Sequence, residues 1–339
     1  EYVGLSELYD EMNRYSEPFS AAWNPDSFDW DKDPFNKAEF RDVRTYLKIL
    51  GKPKMRQHIP VYMAIFAGGY NVDNVQRCKI AKGFLKNWIY IFLRYRVIHN
   101  LHKGVSSGFT NGDFYGMIDG KTGWINDIHE MFSTLSSSES SFSDEDITKL
   151  TSLPLDLEDK QDLGQHHPWT IDHSYWGELG VDHAKKKNHV EVLLYAYERA
   201  SEGKTNPSMS ILHFPSKPQV EHILPEDPKL WGGMWYQKKG GKTRVWEKWV
   251  YALGNHVLLE DSKNSHVSNL RFEKKIPQDG CGPCPTGKKT NHYEGTNYNS
   301  AKNIISHFDD GNTQWFPTAI KKHSTKIMNT IVEFFDGSM

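Results

Sequence analysis

Three short segments in the second half of the chain carry side chains suited to chemistry. The first, Val220-Glu221-His222-Ile223-Leu224-Pro225, places a carboxylate and an imidazole at the end of an apolar run stopped by proline. The second, Leu253-Gly254-Asn255-His256-Val257-Leu258-Leu259, brings an amide to the start of another apolar run. The third, Ser262-Lys263-Asn264, leads into a helix-like stretch, Ser265–Lys275. Phosphodiester hydrolysis has a use for each group. A neutral imidazole takes a proton from water near neutral pH, because its unperturbed pKa is about 6.5. A carboxylate and an amide oxygen, Glu221 and Asn264, are hard oxygen ligands of the kind Mg²⁺ accepts. Such an ion stabilises charge on a scissile phosphate and a departing oxygen.

These groups must be positioned by strand, strand and helix in that order, a ββα hairpin with inward polar residues. Neighbouring strand residues face opposite ways, so Glu221 and His222 serve one site only at a strand end or bulge. The alternative for Glu221 is a salt bridge to a nearby Lys or Arg. Short apolar runs bounded by Pro, Gly and Asn predict strands at Met209–Phe214, Gln219–Leu224 and His256–Glu260. Three- and four-residue spacing predicts helices earlier. One holds Phe40, Val43, Tyr46, Leu47 and Leu50 and ends at Gly51-Lys52-Pro53; others run over about Val75–Ile98 and Asn188–Ala200. A closing helix is expected over Thr318–Phe335, with Ile320, Ile327, Ile331 and Phe334 on one face. The expected fold class is mainly α with a C-terminal ββα-metal core, α+β overall. The change in texture near Ser201-Glu202-Gly203-Lys204 predicts a helical domain over 1–204 and a second domain over 205–339.

The segments together resemble the HNH (His-Me finger, ββα-metal) nuclease superfamily. More narrowly, the chain resembles the C-terminal nuclease domain of GmrSD-type modification-dependent restriction endonucleases. The matching residues are Glu221-His222-Ile223-Leu224-Pro225, Leu253-Gly254-Asn255 with Leu258-Leu259, then Asn264 with Ser268-Asn269, Phe272 and Lys275. Val192–Glu198 and the closing Trp315–Phe335 stretch extend the likeness to about residues 185–335. The resemblance implies that His222 is the general base and that Asn255 orients it through the backbone of the first strand. It implies one Mg²⁺ or Mn²⁺ ion on Glu221 and Asn264, and a 5′-phosphate product. The chain departs from the family's pattern in places: Glu221 precedes the base where Asp or another ligand is frequent, His256 stands where Leu is usual, and His323 where Arg is common. The nucleotide-hydrolysing Asp-Gly-Gln-Gln-Arg motif of the GmrSD-type N-terminal half is absent. With an opening Glu in place of Met, this implies a fragment whose sensing and nucleotide-using portion lies elsewhere.

Charge bears on the partner. The 339 residues hold 41 Lys+Arg and 43 Asp+Glu, a net −2 that taken whole argues against nucleic acid. Residues 1–204 hold 24 basic and 30 acidic side chains, net −6, whereas residues 205–339 hold 17 and 13, net +4. The motifs therefore lie in the basic half. Between the first two segments, Lys238, Lys239, Lys242 and Arg244 are interleaved with Trp and Gly, a loop suited to a DNA backbone. Lys274 and Lys275 follow Asn264 by one helix length and are candidates to meet the scissile strand.

Other features carry less. The longest apolar-leaning stretch, Phe84–Val97, is interrupted by Lys86, Asn87, Arg94 and Arg96. A bilayer needs ~20 mostly apolar residues, so no membrane span is expected. Three cysteines, Cys78, Cys281 and Cys284, are too few for a disulfide framework, which points to a reducing cytoplasm. Cys281-Gly282-Pro283-Cys284 lacks the strand-to-helix setting of a redox dithiol, and a zinc site would need two further ligands, with only His292 near. Ser133–Asp146 reads as a surface loop. The expected function is metal-dependent DNA cleavage, nicking or, if two copies meet as a dimer, double-strand cutting, in defence against phage or other foreign, possibly modified, DNA. The alternatives are a non-catalytic DNA-binding or regulatory module with a relic hairpin, and an RNA-cutting toxin.

Overall fold

A computed structural model describes residues 5–52, 56, 58–67, 73–93, 145, 183–202, 218–276, 293, 296–308 and 314–336. The chain forms two compact units. One comprises Glu1–Asn100 and Gly104–Pro168, the other Leu101–Lys103 and Trp169–Met339.

Among the described residues the first unit packs the helices α1 (Leu5–Trp23), α2 (Phe40–Gly51), α3 (Ile59–Ala67) and α4 (Asn74–Phe92). The stripe expected on α2 is buried: Phe40, Val43, Tyr46, Leu47 and Leu50 all lie inside. Helix α4 starts at a true cap, where the Asp73 carboxylate accepts the Gln76 N–H at 2.8 Å. It ends at Phe92, and residues 94–98, where the expected helix continues, lie outside the described residues. His58, on the approach to α3, is fully buried with no hydrogen bond to either ring nitrogen.

Among the described residues the second unit runs through α5 (His183–Ser201), β1 (Gln219–His222), the short hairpin β2 (Tyr236–Gln237) and β3 (Gly241–Lys242), and α6 (Arg244–Trp249). A 3₁₀ turn (Leu253–Asn255) leads into β4 (His256–Leu259), followed by α7 (Asp261–Val267), α8 (Phe272–Lys275), α9 (Asn299–Phe308) and α10 (Pro317–Asp336). Helix α5, expected before the boundary at 204, packs on α9, α10 and β4, so it belongs with the unit that follows. Its Glu198 carboxylate accepts the Asn299 and Ser300 N–H groups at 2.6 and 2.8 Å, capping α9. Burial pushes the pKa of Glu198 up to about 7, against those hydrogen bonds.

Strands β1 and β4 pair antiparallel, with Glu221 opposite Val257 and His222 opposite His256. Every residue of β4 is buried, as an apolar run covered on both faces requires. Helix α7 packs on β1. The helix expected after Asn264 is two helices instead, and Asn264 lies within the first. Ser268 ends α7 at φ +35°, a left-handed conformation that no sequence signal announced because the residue is not glycine. The strand expected at Met209–Phe214 lies outside the described residues, as do Cys281, Cys284 and His292.

Candidate active site

The site is built on the junction of the 3₁₀ turn, β4 and the exit of β1. Asn255 is fully buried, and its amide uses all its hydrogen-bonding capacity. Nδ2 donates to the Leu224 and Val250 carbonyls at 2.9 and 2.8 Å, and Oδ1 accepts from Leu224 N–H at 2.8 Å and Trp315 Nε1 at 3.0 Å. The Asn255 carbonyl also accepts the Ile223 N–H at 2.9 Å. Asn255 therefore fixes the backbone just beyond His222. A side chain so engaged positions the strand rather than meeting a substrate.

The turn itself is clamped by α10. The Gly254 N–H donates to Ser324 Oγ at 2.7 Å, and His323 Nδ1 donates to the Gly254 carbonyl at 2.8 Å. A Cβ at Gly254 would lie 2.0 Å from the Ile320 carbonyl oxygen, so only glycine permits this approach. His323 and Trp315 thus hold the turn that carries Asn255. Neither role is visible in sequence, because both partners come from beyond residue 310. The far side of β4 is tied as well, with Leu258 N–H donating to Ser300 Oγ at 3.0 Å.

His222 is half-buried on the β1 face it shares with His256, the ring centroids 4.5 Å apart. Tyr251 approaches the same ring edge-on at 6.0 Å. His256 is buried, and its Nδ1 lies 2.8 Å from the Ala252 carbonyl. A carbonyl only accepts, so Nδ1 carries the proton there and the second ring nitrogen faces the other way. The departure from the family's usual Leu therefore sets a second imidazole directly beside the candidate base.

Glu221 points away from His222. Its carboxylate is buried and receives Lys275 Nζ at 2.5 Å, and the same ammonium donates to the His222 carbonyl at 3.1 Å. Burial drives the Glu221 pKa up and the Lys275 pKa down, while each partner's charge opposes the shift. Lys275 is fully buried and cannot meet DNA, which corrects the expectation drawn from its position after Asn264. The salt bridge weighed against a metal-ligand role for Glu221 is present, and its partner is that lysine.

Asn264 sits in α7, the helix packed on β1. Its Oδ1 is buried and accepts no hydrogen bond. An orphaned amide oxygen in that place fits a hard divalent cation, for which it is a suitable donor. Glu221 fits only if Lys275 releases it. Among the described residues no three His, Cys, Asp or Glu side chains gather as a metal cage.

The cationic residues expected at the DNA surface separate cleanly. Lys238, Lys239 and Lys242 are exposed on the β2–β3 hairpin and Arg244 is exposed at the start of α6. Lys242 Nζ also lies 4.1 Å from the Trp246 ring centroid. Lys274 is exposed on α8. No helix among the described residues is long and apolar enough to cross a membrane.

No curated protein and no solved structure matches this chain. Residues 169–330, which include every residue of the site, match the family model for the C-terminal domain of GmrSD restriction endonucleases, the family whose motifs the sequence resembles.

Proposed function

We propose that the second unit is a metal-dependent DNA endonuclease of the HNH type, acting in restriction of foreign DNA. The observation that carries this reading is the buried, unpartnered Oδ1 of Asn264 on the helix packed against the strand that bears His222. Asn264 would hold one Mg²⁺ or Mn²⁺, with Glu221 joining only when Lys275 withdraws. When bound, the ion supplies charge stabilisation for the scissile phosphate.

The chain's own groups do the rest. His222 takes the proton of the attacking water at a ring nitrogen. Asn255 holds the backbone at Leu224 so that the ring keeps its place at the end of β1. His256 packs against the ring and limits its rotation. Exposed Lys238, Lys239, Lys242, Arg244 and Lys274 neutralise phosphates along the strand. With a net +4 over residues 205–339, that grip is modest, and we assign target choice to a separate sensing partner.

The test is nicking of supercoiled plasmid with Mg²⁺, with and without EDTA. Wild-type protein nicks only with free metal, and His222→Ala stops nicking while leaving DNA binding intact. A single site cuts one strand, so linear product requires two copies. Unchanged nicking by His222→Ala would overturn the reading. Because Lys275 already neutralises Glu221, a second reading, a DNA-binding module with a relic hairpin, also has an observation behind it. DNA retention without cutting, insensitive to chelator, would favour it.

A further inference from the structure

A cavity of about 500 Å³ opens between the segment after β1 and the segment before α10. Buried Trp315 closes its inner end, half-buried Trp231 forms a side, and Met234 and Phe316 stand at its rim, 43% and 39% exposed. Arg271 and Glu273 add a guanidinium and a carboxylate to the lining, with Nη1 and Oε1 4.0 Å apart. The walls are cross-tied. Trp231 Nε1 donates to the Leu270 carbonyl at 3.1 Å, and Arg271 Nε donates to the Leu230 carbonyl at 2.5 Å. The cavity is thus formed before any ligand arrives, and its aromatic wall does not depend on a loop closing.

Its surroundings limit what it can take. The turn that carries Met234 continues directly into the β2–β3 hairpin, where Lys238, Lys239 and Lys242 are exposed, and Arg244 follows. None of the four is paired with a carboxylate among the described residues. A purely apolar ligand has no use for the Arg271 and Glu273 edge. An acyl chain or apolar peptide has no use for four adjacent unpaired cations. A nucleotide uses all of it: a planar face for the aromatic rings, an edge carrying both donors and acceptors for the guanidinium and carboxylate, and phosphates for the hairpin.

We propose that this cavity receives one unstacked nucleobase of the DNA, apart from the scissile phosphate, while the adjoining hairpin holds the backbone beside it. The proposal rests on the nucleic-acid reading above and adds to it a base-binding pocket. Trp315 connects the two places, since its ring closes the cavity while its Nε1 bonds the Asn255 amide that fixes the exit of β1.

The experiment is equilibrium binding by fluorescence anisotropy in EDTA, where cleavage is absent, using the full chain. The probes are a mixed-sequence single-stranded 20-mer, the same backbone with abasic sugars throughout, and the matched duplex. Wild-type protein should bind the mixed-sequence strand about ten-fold or more tighter than the abasic strand, the scale set by base–aromatic stacking. Phe316→Ala and Met234→Ala, both at exposed positions, should shrink that gap roughly five-fold or more with an unchanged unfolding midpoint and an unchanged salt slope. Lys238→Ala/Lys239→Ala should weaken all three probes alike and flatten the salt slope by about two. Equal binding of the mixed and abasic strands, or a gap that survives both rim variants, overturns the pocket and leaves the nucleic-acid reading standing. Failure to bind any of the three probes overturns both.

Discussion

Replacing Lys275 with Met tests the core of the site, because it removes the cation paired with Glu221. The Nζ–Oε1 separation is 2.5 Å, Lys275 is fully buried, and Glu221 retains only 7% exposure. Breaking such a pair on one side strands a charge, at a typical cost of about 3–5 kcal/mol. Removing both charges with Glu221→Met/Lys275→Met should cost less, about 1–3 kcal/mol, chiefly because the His222 carbonyl loses its donor. With a urea m-value of about 2 kcal/mol/M, the single variant lowers the midpoint by roughly 1.5–2.5 M. The assay is urea unfolding followed by tryptophan fluorescence, with Glu221→Met measured alongside to close the cycle. A positive coupling of about 2 kcal/mol or more is expected between the two positions. Loss of less than about 1 kcal/mol in Lys275→Met would refute the argument. So would a Glu221→Gln protein that keeps its midpoint yet loses Mg²⁺-dependent nicking, for then the carboxylate serves the metal and the ammonium is incidental.

Gly254→Ala should destabilise the second unit by about 3 kcal/mol or more, since the added methyl meets the Ile320 carbonyl at 2.0 Å and displaces the Ser324 and His323 bonds; thermal unfolding reads it. Trp315→Phe keeps an aromatic ring but removes one of the donors on Asn255 Oδ1; it should cost about 1 kcal/mol and lower nicking more than DNA binding. His58 gives the first unit an acid limit. Burial, with the Arg56 charge adding to it, pushes its pKa down to about 3 from the ordinary 6.5. The folded state refuses a proton that the unfolded state binds, so its contribution is complete above about pH 6.5 and is lost as pH falls toward 3. About 2–3 kcal/mol should disappear between pH 7 and pH 4.5, and urea midpoints of His58→Leu should lack that component of the slope.

Much of the site's scaffold is local in sequence and was readable there. The period of α2 and the closing α10, and the apolar runs of β1 and β4, follow from spacing alone. The resemblance singled out Asn255, although its hydrogen bonds to Val250 and Trp315 could not be read from it. What stayed hidden is set by topology. Glu221 and Lys275 are 54 residues apart, and either could have faced solvent until α8 was placed against β1. Gly254 and Ser324 are 70 residues apart, and nothing around Gly254 names the helix that approaches it. The aromatic cavity draws on three segments far apart in the chain, 231–235, 271–273 and 314–316, and their meeting is set by the fold. The break at Ser268 was missed because a positive φ of this kind is normally marked by glycine.

The clamp of α10 on the 3₁₀ turn also sets an order of events during synthesis. His222 leaves the ribosome about 100 residues ahead of Ser324, an interval of roughly 5–20 s at ordinary elongation rates. During that interval the nascent chain holds its motif residues, but Gly254 has no helix to lean on and Asn255 has no Trp315. The junction of the turn with β1 and β4 therefore forms only after α10 has emerged, and limited proteolysis of chains stalled before Trp315 should find the β1–β4 segment unprotected. If the proposed cleavage is correct, the arrival time of one helix would keep unfinished copies from acting on DNA.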